Sequence, residues 1–236
     1  MQQFTLDVAV DVSPTLDNFN PEGNEAVHQH LRLWLAANLR SPVPIYVWGQ
    51  SGTGKTHLLR ALARGMLEKG EPFGWLDATI QDPPPYNPAW RVALLDDVDR
   101  YTAVQQHAAF NWFVNAQTSS INSPTSNGCV IVAAGDAAPA QLLLRDDLRS
   151  RLGWGDSFAL AALSDQAQRE VLRQSAYQRG LLLGDEVLDY MSTRFSRDLG
   201  NLMQWLDKLD QYALQTKRAI TVPLLKQMLD NMDQLL

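Results

Sequence analysis

Apolar positions along the chain follow two rhythms. From Asn24 to Leu39, the residues Val27, Leu31, Trp34, Leu35 and Leu39 recur at the spacing of one helix face. Pro42 and Pro44 stop that helix. Ile45–Trp48 is a short apolar run of strand type. After a glycine-rich stretch, Leu58, Leu59, Leu62 and Met66 again fall on one helix face. Phe73–Leu76 predicts a second strand. Val92–Leu95 predicts a buried strand that ends in the acids Asp96 and Asp97, and Cys129–Ala133 predicts a further strand. Between them, Thr102–Thr118 has helical spacing, whereas Gln81–Trp90 (QDPPPYNPAW) has four prolines and predicts a loop or extended connector. Strands alternating with helices predict a parallel sheet with helices on both faces.

The rhythm changes after Leu163. Ser164 predicts the cap of a helix running to Arg179. Gly184–Phe195, Asp198–Gln215 and Val222–Met232 predict three more, the last capped by Thr221 with Pro223 in its first turn. The C-terminal third is therefore expected to be a small helical domain.

Composition narrows the classes. The chain has 236 residues, 45% of them hydrophobic, enough for one large domain or two small ones. A net charge of −6 gives no general attraction to nucleic acid. The one cysteine, Cys129, lies in an apolar run and predicts a buried small hydrophobe. A single cysteine forms no disulfide within the chain and suits a reducing cytosol, so a cytoplasmic protein is expected. No stretch approaches the ~18 apolar residues of a membrane span, and the acidic N-terminus lacks the basic start of a signal peptide.

The chemistry concentrates in Gly49–Thr56, which matches G-x-x-x-x-G-K-[ST] between a predicted strand and a predicted helix. Gly49, Gly52 and Gly54 let the backbone turn its N–H groups, Thr53 included, around a phosphate. The helix N-terminus favours the same anion. Lys55 supplies a positive charge for the β- and γ-phosphates, and the Thr56 hydroxyl suits Mg²⁺. ADP or ATP with Mg²⁺ is therefore the expected ligand. Asp96 lies 40 positions after Thr56. At a strand end, that carboxylate suits Mg²⁺ through water, and Asp97 suits orienting or deprotonating an attacking water. Asp99 reads as a solvated loop acid. Asp136, after the next strand, reads either as a residue beside the γ-phosphate or as an ordinary turn residue.

A resemblance adds to this. Asp147–Gly155 (DLRSRLGWG) resembles the "SRxxWG" box of the DnaA-type AAA+ ATPases, whose arginine is the arginine finger. Leu16–Phe19 with Gly23–Ala26, the P-loop with its following His57, and Arg197-Asp198-Leu199 resemble other segments of the same family. The resemblance implies an AAA+ P-loop NTPase fold over 13–163 with a helical lid over 164–236. It also implies that Phe19, Asn24 and His57 lie at the nucleotide, that Arg197 is a phosphate sensor, and that Arg151 is an arginine finger acting in trans on ATP held by DnaA. Trp154 is then expected to anchor the turn after Arg151 by burial.

The lack of a DNA-reading domain makes the architecture similar to the Hda family, which regulates DnaA on the DNA-loaded sliding clamp (the β subunit of DNA polymerase III). ADP is the active ligand in that family. Gln3-Phe4-Thr5-Leu6-Asp7-Val8 resembles its clamp-binding peptide Q-L-x-L-x-L/F, with Gln3, Phe4, Leu6 and Val8 in the binding positions and residues 1–12 as the peptide region. Burial of the three apolar side chains, ~1.5–3 kcal/mol each, is nearly offset by ordering six residues at ~1–2 kcal/mol each, so avidity on a ring with repeated sites matters. DNA then enters only through the clamp. Two other classes remain open on sequence: a helicase loader or DNA-remodelling ATPase, and a clamp adaptor independent of nucleotide. A resting monomer and a homodimer are equally compatible with the sequence.

Overall fold

A computed structural model describes residues 13–122, 128–195 and 198–233. The chain divides into two compact units, Pro14–Ala162 and a second that begins at Leu163.

The first unit is a sheet of five parallel strands: β1 (Ile45–Trp48), β2 (Phe73–Leu76), β3 (Val92–Leu95), β4 (Val130–Gly135) and β5 (Asp156–Ala159), in the order β2-β3-β4-β1-β5. Alternate side chains point to opposite faces. Ile45, Val47, Val92, Leu94 and Val132 pack beneath α1 (Glu25–Ala36) and α2 (Lys55–Glu68). Tyr46, Ala93, Leu95 and Ile131 pack against α3 (Ala103–Asn122) and α4 (Asp146–Leu152). Both faces are covered, which is why the central strands read as unbroken apolar runs. The α2 face is fully used: Leu58, Leu59, Leu62 and Met66 are buried. Cys129 is buried too, and burial pushes its thiol up to about 12, out of reach of redox chemistry at neutral pH.

Strand order positions the site. Strand β4 lies between β3 and β1, with Trp48 opposite Gly135 and Leu95 opposite Ala133. The carboxyl ends of three neighbouring strands therefore present the P-loop, Asp136 and Asp96 along one edge, where open α/β sheets hold ligands.

The structure departs from the sequence reading, or adds to it, at four places. Helix α1 stops at Ala36, because the Arg40 guanidinium turns back to donate to the carbonyls of Trp34 and Leu35. Strand β5 had no apolar rhythm to reveal it. Its residues are mostly exposed, and it forms by pairing with β1. Arg151 lies inside α4, which runs on to Leu152. Trp154 is 63% exposed and anchors nothing by burial. The turn is held instead at Gly155, where a Cβ would lie 2.0 Å from the Pro44 carbonyl oxygen, and the Asp156 N–H donates to that oxygen at 2.9 Å.

The Gln81–Trp90 connector is irregular, as its prolines require, yet it is held. The Gln105 amide donates to the carbonyls of Asp77, Ala78 and Ile80 just before it, and Trp112 Nε1 donates to the Pro84 carbonyl within it.

The second unit contains α5 (Asp165–Gln178), α6 (Asp185–Arg194), α7 (Leu199–Thr216) and α8 (Val222–Asp233) around Leu172, Leu188, Met191, Leu206 and Leu225. Ser164 caps α5 by accepting from the Ala167 N–H, and Asp198 caps α7 by accepting from Gly200 and Asn201. The Thr221 hydroxyl accepts from the Leu224 N–H at the start of α8.

Candidate nucleotide site and arginine edge

The P-loop leaves β1 at Gly49 and enters α2 at Lys55. Gly54 caps that helix with φ of 96°, a left-handed conformation that favours glycine. The Phe19 ring fills the place where a side chain at Gly54 would stand, 2.7 Å from the position of a Cβ. Thr53 is buried, with its hydroxyl donating to the Gln50 carbonyl at 2.9 Å. Lys55 is only 6% exposed. Its Nζ donates to the carbonyls of Gly49 at 2.7 Å and Gln50 at 3.0 Å, and pairs with Asp136 Oδ1 at 2.7 Å. A cleft of about 480 Å³ opens here between Trp48, Gln50, Thr53, Asp136 and Leu160.

The acids gather on the same edge. Asp96 is buried, and the Thr56 hydroxyl hydrogen-bonds to its carboxyl group. These two oxygen donors, one from α2 and one from the end of β3, are the type of ligand that Mg²⁺ takes. Among the described residues, no group of three or more His, Cys, Asp or Glu is placed to hold a metal. A Mg²⁺ held by Thr56 and Asp96 would need its other ligands from phosphate and water. Asp97 follows in a left-handed conformation, φ 51°, which is costly for a residue with a Cβ and turns the chain sharply after β3. Burial raises its carboxyl, with the Arg100 charge opposing.

Burial also raises the Asp96 carboxyl from 3.8 to about 6, against the pull of the Thr56 hydrogen bond. The folded state thus holds this proton more tightly than the unfolded chain does. The stabilisation is complete below the unfolded value and is lost as pH rises through about 6. Asp96→Asn is therefore expected to raise the melting temperature more at pH 7.5 than at pH 4.5, the difference amounting to about 2 kcal/mol. Thermal melts of both proteins at the two pH values check this; an equal shift at both would mean that Asp96 is not the strained group.

Three residues expected at the nucleotide take up structural contacts. His57 Nε2 meets the Thr15 carbonyl at 3.0 Å, and burial lowers its pKa, so the ring is neutral and its Nε2–H is the donor. Phe19 lies between the rings of His28 and His57. The Asn24 amide clasps Ala161 on both sides, accepting from its N–H at 2.8 Å and donating to its carbonyl at 3.0 Å. Together they tie the segment before α1 and the chain after β5 around the P-loop. Arg197 and the Gln3–Val8 peptide, with Phe4 and Leu6, lie outside the described residues.

On α4 and at its N-cap, Arg145, the arginines separate by partner. Arg145 pairs with Asp147 and Arg149 with Asp146, each at 2.6 Å. Arg151 makes no ion pair among the described residues. It donates to Gln117 Oε1 at 2.7 Å, and its guanidinium lies 5.3 Å from the centre of the Phe110 ring. Arg145 faces that ring as well, at 5.6 Å. Gln117 and Phe110, two turns apart on α3, gave no signal in sequence, because only the fold brings them to α4. Asp99 is a further surprise. It is no free loop acid but accepts the Asp136 N–H at 3.0 Å.

Residues 165–229 match the family model described as Hda, lid domain. An uncharacterised protein of Haemophilus influenzae is 31% identical over 223 residues, 92% of this chain and 93% of that protein. Among solved structures, domain III of the Thermotoga maritima replication initiation protein DnaA superposes with a TM-score of 0.69 at 20% identity, covering 94% of this chain and 97% of that one. AMPPCP-bound DnaA from Aquifex aeolicus gives 0.61 at 22%, over 86% and 73%. The Thermotoga maritima RuvB Holliday junction branch migration motor gives 0.64 at 16%, over 92% and 71%. The AAA+ fold and the lid match agree, and the chain is an Hda-like, DnaA-related AAA+ protein.

Proposed function

We propose that this protein is an adenine-nucleotide-binding negative regulator of replication initiation that stimulates ATP hydrolysis by DnaA. One observation carries the proposal: Arg151 has no carboxylate partner among the described residues, yet is held in place by Gln117 and Phe110 at the rim of the α/β unit. A guanidinium supplied from a neighbour stabilises the charge that develops on a transferred phosphoryl group. Head-to-tail stacking of two AAA+ units brings such an edge to a neighbour's nucleotide. Arg151 is the catalytic group in this scheme, and it acts on ATP bound to DnaA.

The chain's own site takes ADP or ATP. The AMPPCP seen in Aquifex aeolicus DnaA supports an adenine nucleotide. Lys55 and the backbone of Gly49–Gly54 receive the phosphates, Thr56 and Asp96 hold Mg²⁺, and Asp97 orients water if the site turns over. Arg197 senses the phosphates from the lid. Residues 1–12 dock on the sliding clamp, so that DNA is met through the clamp. Such a protein works in the cytoplasm. Among the described residues, no helix is long and apolar enough to cross a membrane.

The decisive experiment measures turnover of ATP pre-bound to DnaA on DNA-loaded clamp, with and without this protein and ADP. Stimulation by this protein supports the regulator; unchanged turnover with intact clamp binding leaves only an adaptor. Docking is tested separately. Replacing Gln3, Leu6 and Val8 together by alanine is expected to abolish clamp pull-down and leave the melting temperature unchanged. Retention on the clamp would exclude the peptide as the docking element.

A further inference from the structure

Lys55 is the only P-loop residue that carries a positive charge, and each of its three donors is already engaged. Two go to the carbonyls of Gly49 and Gln50, and the third meets the Asp136 carboxylate at 2.7 Å. That carboxylate is not there by chance of rotamer. The Asp136 N–H is fixed by Asp99, and the preceding Gly135 is packed so closely that a Cβ would lie 2.4 Å from the Tyr46 hydroxyl oxygen. The backbone is therefore set, while the Asp136 side chain, 42% exposed, has water on its open side. Asp96, Asp97 and Asp99 add negative charge along the same edge, and the Asp97 carboxyl feels both Lys55 and Asp136.

We propose that Asp136 is an internal counter-ion of Lys55, which an incoming phosphate chain has to displace, so that this residue sets how tightly the site takes nucleotides. The proposal rests on the nucleotide site put forward above. A phosphate oxygen and the Asp136 oxygen compete for one ammonium. While both are near it they repel each other, more strongly the more charge the phosphate chain carries. On binding, Asp136 swings to the water on its open side and Lys55 turns to the phosphate. A residue that instead helped to hold the phosphates, by a hydrogen bond or through Mg²⁺, would have the opposite effect when neutralised.

The test is calorimetric titration of the wild type, Asp136→Asn and Lys55→Ala with pyrophosphate, ADP and ATP in the presence of Mg²⁺. Thermal melts of the unliganded proteins run alongside. Asp136→Asn keeps the shape and removes the charge. It is expected to bind pyrophosphate about tenfold more tightly than the wild type, with a larger gain for ATP than for ADP. Asp136→Ser, which shortens the side chain as well, moves in the same direction and serves if the asparagine variant does not fold. Equal or weaker binding by the neutral variants, with Lys55→Ala losing binding, overturns the counter-ion and leaves the nucleotide site standing. Binding unaffected by Lys55→Ala overturns the nucleotide site, and the counter-ion falls with it.

Discussion

Arg151→Ala is expected to reduce stimulation of DnaA-bound ATP hydrolysis by two orders of magnitude or more, an arginine finger supplying ~10³–10⁵-fold. The fold is expected to survive. Arg151 makes one hydrogen bond to a neutral amide and one contact to an aromatic face, at a half-exposed position. Contacts of that kind contribute about 1 kcal/mol or less. Clamp binding and nucleotide binding involve other residues and stay as they were. A surface staple would behave the other way, with a lower melting temperature and stimulation intact. Arg151→Lys adds a finer test, since it keeps the charge but loses the planar fork that Gln117 and Phe110 hold, and an intermediate rate is expected. Arg145→Ala, which removes a residue already paired with Asp147, is expected to cost far less. The measurement is ADP formation from ATP-loaded DnaA on DNA-loaded clamp, read beside a thermal melt. Full stimulation by Arg151→Ala would remove this residue from the mechanism.

The second large effect is on stability. Gly155→Ala is expected to cost about 3 kcal/mol or more, at the upper end for an overpacked site. The added carbon meets backbone on Pro44, at 2.0 Å from its oxygen and 2.7 Å from its carbonyl carbon, and no rotamer change relieves that. The only way out is to pull β5 off the start of β1, which breaks the Asp156-to-Pro44 hydrogen bond and the pairing of Ile45 with Asp156. Because α4 leads directly into this turn, stimulation of DnaA is expected to fall as well. Gly153 is the control. Its φ of −83° is ordinary, and a Cβ there makes only van der Waals contacts, with Pro139 at 3.4 Å and the Arg149 and Ser150 carbonyl oxygens at 3.6 and 3.8 Å, so Gly153→Ala should stay within about 0.5 kcal/mol of wild type. Denaturant unfolding of the two variants decides the matter; a Gly155→Ala protein as stable as wild type would show that β5 shifts without cost.

The sequence by itself determined the elements whose signals are local. Apolar spacing marked the α2 face through Leu58, Leu62 and Met66, and unbroken apolar runs marked β1, β3 and β4. Ser164 and Asp198 announced helix starts that the structure caps with those same side chains. The turn from β1 into α2 and the acid pair at the end of β3 were legible because the P-loop motif sets particular residue types at fixed spacing.

The tertiary structure decided what depends on distant partners. Strand β5 exists because β1 offers it an edge, not because Asp156–Ala159 has a strand rhythm. Trp154 stays exposed, and the turn beside it is held by Gly155, where two backbones meet. Asp99 became the holder of Asp136, Gln117 and Phe110 became the seat of Arg151, and the His57 ring found the Thr15 carbonyl. In each case the partner lies more than 30 positions away in the chain. Spacing along the sequence reports only neighbours a few residues apart, and which distant groups meet is fixed by strand order and by how closely backbones pack.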